Sequence, residues 1–344
     1  MGRILARGAF IAPSYLLGRA ALARQGDALV LVDRGGEVRA PLTFSRAQAA
    51  GVEATGFDGV SWRSYGADVP RWVGAEARLL IGGQRTNLFT TVRAPATETV
   101  TVTAAAHTLS LIGTGSITLS GVATGTLAGT GANDRVTLTF TPSAGSLTLT
   151  VAGSITLPQL ELGSFASTPI LPPIGTPAAS MRGTDILTAL LSDLDIGSNG
   201  ACTVLWRGAF SATNIGNSQT IAAIDDGTAA NRCEIRLTST GIPEVIRVTA
   251  GVVAQSNFGG APPTPGATMR AGFTLDGAGR LAGVVAGYNG GAVEAVAGTA
   301  TVGLSTFRHG TSVGNSRELW GETHTLTVMP PRSDAEMQAL VAAL

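Results

Sequence analysis

A chain of 344 residues with 44% apolar content is too long for one small core and too apolar for wholesale disorder, and it fits two or three domains. Its 23 basic residues, every one arginine, balance 23 acids; with no dense arginine stripe and no interleaved aromatics, this excludes a surface that tracks nucleic-acid phosphates. The 46 glycines, frequent Thr and Ser and only 13% charged residues describe short strands joined by tight turns, an all-β protein.

The charge is unevenly placed, with an excess of arginine over residues 1–93 and of acids beyond. A basic amino-terminal part suits an acidic protein partner. Arg3 and Arg7 resemble the start of a secretion signal, but Pro13, Gly18 and Arg19 interrupt any apolar stretch after them. No run approaches the roughly 18 apolar residues of a helical span, so neither membrane insertion nor signal-dependent export is expected. Cys202 and Cys233, the two cysteines, are too few for a disulfide scaffold and lack zinc-site spacing, so buried thiols are expected.

In chain order, Ser14 to Arg24 suits a short helix and Ala28 to Val32 a strand, turned by Arg34-Gly35-Gly36. Residues 1–50 read as an arm with little core of its own. Residues 51–92 hold Trp62, Trp72 and Tyr65 among frequent Gly and Arg, and such a segment must pack against a neighbouring domain or subunit. From Thr99 the pattern becomes strict alternation: Val100 and Val102, Leu109 and Leu111, Ile117 and Leu119, Leu147 and Leu149, with Thr or Ser between. Period two with polar β-branched residues outside predicts antiparallel strands, a small sandwich or jelly roll over residues 93–165. At Pro158 the phase slips, which predicts an edge strand or bulge. Pro169, Pro172, Pro173 and Pro177 predict a stiff connector over residues 166–182.

Strands recur over residues 183–344, at Cys202 to Arg207, Thr220 to Ile224, Cys233 to Leu237, Val245 to Thr249, Arg270 to Leu275, Leu281 to Tyr288, Ala292 to Val296 and Thr325 to Met329. Asp276-Gly277 marks a hairpin. Ser333 with Glu336 forms a capping box opening a last helix to about Leu344.

Reaction chemistry finds little footing. Hydrolysis of a glycosidic bond needs two convergent carboxylates; the candidate pairs are Asp193 with Asp195, Asp225 with Asp226, and Glu234 with Glu244. No Gly-x-Ser-x-Gly elbow occurs, and of His107, His309 and His324 only His309 is expected on a loop. No phosphate-binding fingerprint precedes a helix. The expectation is a protein without enzymatic activity and without a cofactor.

Three pieces carry a resemblance: Phe44-Ser45-Arg46, Ala67-Asp68-Val69-Pro70-Arg71, and Leu79-Leu80-Ile81-Gly82-Gly83-Gln84-Arg85-Thr86-Asn87-Leu88. In this order, followed by two sandwich-like segments, they resemble the amino-terminal portion of tailed-bacteriophage tail-fibre and head-spike proteins, with gene-transfer-agent-like particles as further carriers. The junction Gln159 to Ile170, continued by Met181-Arg182-Gly183-Thr184-Asp185, is similar to the one that follows the sandwich in such proteins. Residues 183–344 resemble a concanavalin A-like, or laminin G-like, lectin sandwich, on Thr203-Val204-Leu205-Trp206, the strand ending at Asp276-Gly277, Leu319-Trp320-Gly321 and Ser333 to Leu340.

The resemblance implies a fibre or spike on a virion surface, assembled in the bacterial cytoplasm, homotrimeric, held to capsid, tail or baseplate proteins through residues 1–50. Its carboxy-terminal domain would touch host-cell surface polysaccharide. The alternative is a purely structural decoration or adaptor protein, and a polysaccharide depolymerase is a third, remoter class. Sugar contact uses aromatic faces and planar polar groups. Tyr288, Asn289, Phe307, Arg308 and His309, expected on loops, and Trp320, near a strand end, are therefore the candidate glycan contacts, while Trp206 alternates with core residues. A calcium ion, such as lectin-like sandwiches often hold at a rim, would find oxygen ligands in Asp225, Asp226 and Asn231.

Overall fold

The computed structural model describes residues 24–344 except Gly26, Arg34, Gly35 and Val302. The helix expected from Ser14 lies outside the described residues up to Ala23, and Arg24 begins a strand, Arg24–Gln25. Among the described residues there is one α-helix, Asp334–Ala343, and every strand pair is antiparallel. The all-β expectation agrees with this architecture.

The alternating segment forms its own sandwich. A four-stranded sheet in the order Glu98–Val102, Gly145–Ala152, Ser116–Gly121, Gly125–Ala128 lies on a three-stranded sheet in the order Gly131–Phe140, His107–Gly113, Ile155–Leu162. Leu109, Leu111, Ile117, Leu119, Leu147, Leu149 and Leu160 fill the space between them. The outward threonines pair across strands, Thr99 with Thr148 at 2.9 Å and Thr118 with Thr126 at 3.2 Å, the hydroxyl contacts that steady a solvated sheet face. The phase slip before Pro158 has a backbone cause: Leu157 takes φ +50°, and the strand Ile155–Leu162 shifts register against Ser110 and Ile112. A proline fits there because this strand is its sheet's edge.

The larger sandwich packs a ten-stranded sheet on a seven-stranded one. The first runs Arg24–Gln25, Ala28–Asp33, Gly321–Met329, Cys202–Phe210, Thr268–Leu275, Leu281–Val285, Glu294–Val296, with Glu37–Val38, Arg71–Val73 and Arg78–Ile81 joined to it. The second runs Val252–Asn257, Pro243–Thr249, Arg232–Leu237, Gln219–Asp225, Thr306–His309, Ile186–Leu190, Thr43–Ser45. Trp206, Phe210, Phe273, Phe307 and both cysteines lie in the shared core. The thiols are unbridged and buried, and burial raises both, Cys233 to about 12.

Two expectations about domain organisation differ from this structure. The described part of residues 1–50 is woven into the larger sandwich: Leu29 lies opposite Val328, and Phe44 opposite Leu187. Leu29, Leu31 and Val32 are buried there, because a lone apolar strand must find a sheet edge to bury its side chains, and sequence does not say which edge. The prolines of 166–182 do not make a separate spacer either. Ile170–Leu171 pairs with Glu53–Phe57, and Ser180–Arg182 pairs with Arg85–Asn87. These pairs form two small sheets of their own, and the smaller sandwich is inserted in the chain between Arg78–Ile81 of the ten-stranded sheet and Ile186–Leu190 of the seven-stranded one.

The last helix covers the outer side of the ten-stranded sheet, setting Met337 and Val341, one turn apart, against Leu205, Ala282 and Val284. Its start is a complete capping box, with the Ser333 side chain accepting from the Glu336 N–H and the Glu336 carboxylate accepting from the Ser333 N–H. Ser333→Ala is expected to lower stability by about 1 kcal/mol, read as a reduced urea midpoint at unchanged slope.

Candidate functional site

The six predicted glycan contacts do not converge. Phe307 is wholly buried between the two sheets. His309 is equally buried, with Nδ1 2.7 Å from the Ile221 carbonyl and Nε2 2.7 Å from Thr323 Oγ1. Both belong to the strand Thr306–His309, where a loop is expected from the sequence; the Arg308 beside them hides that alternation. Trp320 is buried too, in edge-on contact with Phe165 at 5.2 Å. Tyr288 is half-buried, its hydroxyl donating to the Ala261 carbonyl at 2.9 Å. Asn289 is exposed and donates to Glu294 at 2.6 Å. These two share the turn that follows Leu281–Val285, apart from the strand Thr306–His309.

Arg308 alone faces outward on the seven-stranded sheet, and it defines a surface. Because Cys233, Ile235 and Leu237 point into the core, alternation turns Arg232, Glu234 and Arg236 to the opposite face. Register then places Glu244, Asp225, Arg308, Thr306, Thr188 and Thr43 beside them. The centre of this face is a closed ion-pair grid: Glu234 takes Arg232 Nε at 2.8 Å, Glu244 takes Arg236 Nε at 2.7 Å, and Asp225 takes Arg308 Nε at 2.6 Å. Ser312 and Arg317 cover Glu234 from the following turn. At one side the grid opens to half-buried Thr306, Arg308 and Thr188, with Thr43 and Leu190 exposed. Thr43 Oγ1 donates to the Thr188 carbonyl at 2.9 Å. The result is a flat strip of hydroxyls and one oriented guanidinium on rigid strands.

This grid also accounts for three of the acids singled out for chemistry. Asp225 serves Arg308, and Glu234 and Glu244 flank Arg236, so these carboxylates neutralise arginines. The expected calcium trio is occupied in the same way. Asp225 also accepts from the Gly227 N–H, Asp226 accepts from Thr228 and from Asn231 Nδ2 at 2.8 Å, and Asn231 Oδ1 accepts from the Ala250 N–H. Asp225 therefore turns toward the sheet and the other two close a turn on each other. Among the described residues no group of three or more His, Cys, Asp or Glu gathers as metal ligands.

The residues that carry the fibre-and-spike resemblance do converge, at the root of the smaller sandwich. Asp185, fully buried, accepts from Arg46 Nη1 at 3.0 Å, from Arg71 Nη2, from Arg182 Nη1 at 3.4 Å and from the Gly82 N–H at 2.9 Å. Burial alone would raise its carboxyl, but Arg71, Arg182 and Arg46 beside it hold it below the ordinary carboxylate range. Arg46 also donates to the Gly66 and Val69 carbonyls, and Arg182 to the Gly83 carbonyl. Next to this network Arg85 lies 4.5 Å over the Trp320 ring and 4.7 Å over Phe165, a cation held between two aromatic faces, and reaches Glu161 at 3.3 Å. Arg46, Arg71, Arg182 and Asp185 tie separate stretches of chain together beside the insertion, and Arg85 reaches the insertion itself through Glu161 and Phe165. Sequence reading names these stretches without assigning them a role; an arginine in each of three short motifs is the signal.

These features define an all-β protein of two antiparallel sandwiches joined at a buried ionic root. Among solved structures the chain is similar to the CBM40 of the Ruminococcus gnavus IT-sialidase, at 15% identity and TM-score 0.34, over 41% of this chain and 82% of that one. It is similar to domains LG4-5 of the mouse laminin alpha1 chain, at 10% identity and TM-score 0.30, over 82% of this chain and 89% of that one. A third is the SAP-like pentraxin from Limulus polyphemus, at 13% identity and TM-score 0.29, over 41% and 69%. No protein-family model matches the chain, and no curated protein matches it.

Proposed function

We propose that this protein is a non-enzymatic fibre or spike component on the surface of a phage-like particle, assembled in the bacterial cytoplasm, that adheres to host-cell polysaccharide through its larger sandwich. The observation that carries the glycan part is the outward strip of Thr43, Thr188, Thr306, Arg308 and Leu190. Its hydroxyls and guanidinium are fixed before any ligand arrives, because Arg308 is braced by Asp225 and the threonines lie on paired strands. A planar guanidinium and hydroxyls in one plane suit the hydroxyls of a sugar ring. With no aromatic platform in the strip, affinity per site is low, and a homotrimer raises it by linking weak sites.

The particle assignment rests on the three amino-terminal motifs and their resemblance, and on the way the same motifs supply the arginines of the buried root. Attachment to capsid, tail or baseplate is assigned to residues 1–50, whose part from Ala28 onward also pairs in the larger sandwich. Removing residues 1–23 is expected to leave a folded protein that no longer co-purifies with particles; normal incorporation defeats the attachment assignment.

The test of adhesion uses the full chain, because residues 183–344 alone would lack the strands Ala28–Asp33, Thr43–Ser45 and Arg78–Ile81. Leu190 is 55% exposed, so Leu190→Glu should fold normally. It is expected to weaken binding to intact host cells or an immobilised capsule by about tenfold, roughly 1.4 kcal/mol. The burial of Phe307, His309 and Trp320 favours the second reading, a decoration or adaptor protein with no glycan contact. Absence of cell and glycan binding by the wild-type multimer establishes that reading and removes the first.

A further inference from the structure

The root of the insertion contains a cavity of about 70 Å³ lined by Arg71, Arg135, Arg182, Phe165, Ser167, Trp320 and neighbouring backbone. One water needs on the order of 10–15 Å³ of such space, so there is room for a small polyatomic ion. The lining is positively charged beyond what its own acids neutralise. Arg71, Arg135 and Arg182 line it, with Arg46 and Arg85 behind them, against two buried carboxylates, Asp185 and Glu161, the half-buried Glu318 and the exposed Asp68. Asp185 is shared by three of these arginines. Glu161 is spent on Ser167 and Gln159 as well as Arg85, and Glu318 receives Thr184.

Among the described residues Arg135 has no carboxylate within ion-pair distance; it donates to Ser110 Oγ at 2.7 Å. The Nε–H groups of Arg71, Arg135 and Arg182 are buried and make no hydrogen bond among the described residues. Burial of a guanidinium short of counter-charge costs several kcal/mol, and it loosens the hold of two of them on their protons. Burial lowers Arg135 to about 10, and burial together with repulsion from Arg71 lowers Arg182 to about 9. Nothing in the glycan-contact strip or the ion-pair grid uses this cavity.

We infer that the cavity binds a small oxyanion, whose oxygens accept from the unpartnered guanidinium N–H groups and supply the missing negative charge at the root of the insertion. Guanidinium forks recognise such groups by charge-assisted, often paired hydrogen bonds. The shared chemistry covers a tetrahedral phosphate or sulfate and the carboxylate of a small acid, and the ion would act as a cement between the two sandwiches.

The experiment is thermal unfolding of the full chain, freed of multivalent anions by dialysis and titrated with inorganic phosphate, sulfate, acetate or glucuronate at constant ionic strength held with sodium chloride. The expected result is a saturable rise in midpoint with one or more of these. Phosphate and sulfate acting alone assign a tetrahedral ion, and acetate or glucuronate acting alone assign a carboxylate. Arg135→Gln, at a half-buried position outside the Asp185 network, is expected to keep the fold and weaken the apparent affinity by about tenfold or more, the loss of one charge-assisted hydrogen bond. Midpoints that follow only ionic strength overturn the inference. So does a folded Arg135→Gln protein that responds to the anion as the wild type does.

Discussion

Asp185→Ala is expected to destabilise the protein by about 3–5 kcal/mol, the cost of removing one partner from a buried ion cluster. The carboxylate is the shared counter-charge of Arg46, Arg71 and Arg182, all of them buried. Without it three guanidiniums remain close together out of water. The contacts of Arg46 with the Gly66 and Val69 carbonyls, of Arg182 with the Gly83 carbonyl and of Arg71 with Thr168 Oγ1 survive, so the loss is mainly of charge compensation. Asp185→Asn should cost less, since an amide oxygen can still accept from the Gly82 N–H, although the charge is gone. Urea unfolding of both variants measures the difference, and a cost below about 1 kcal/mol for Asp185→Ala would show that the carboxylate is not the counter-charge the three arginines depend on. The same residue predicts acid sensitivity. Its folded carboxyl is depressed, so its contribution is fully present above the unfolded value near 4 and is lost as pH falls through the folded one.

Stability should also fall by about 2 kcal/mol between pH 7 and pH 5 because of His309. Burial, only partly opposed by the hydrogen bond to the Ile221 carbonyl, lowers its imidazolium to about 4, against about 6.5 in the unfolded chain. Below pH 6.5 the unfolded state binds a proton that the folded state refuses, so stability is lost as pH falls toward 4 and is complete at neutral pH. The geometry explains the refusal. Nδ1 must donate to the Ile221 carbonyl, so Nε2 accepts from the Thr323 hydroxyl, which itself accepts from Trp206 Nε1–H at 3.0 Å. A proton on Nε2 would set donors from both the imidazolium and Trp206 against one oxygen and leave the Thr323 hydroxyl hydrogen without its acceptor. Denaturant unfolding across pH 5 to 7 measures the slope. His309→Gln should flatten it, and an unchanged slope in a folded variant would place the titration elsewhere.

The sequence alone determined the all-β class, the small sandwich and the final helix, because period-two alternation and a Ser-x-x-Glu cap are local patterns that the chain satisfies wherever its partners lie. It also marked the segments around Arg46, Arg71, Arg85 and Arg182 as special. What only the tertiary structure decided is which edges and faces meet. Ala28–Asp33 joins a strand near the other end of the chain, a choice set by open sheet edges and buried area that no local pattern encodes. Trp320 and Phe307, aromatic residues suited to sugar contact, are taken up by packing, whereas threonines and Arg308 remain outside. Burial is a property of both surfaces in a contact, and one strand's sequence describes only its own.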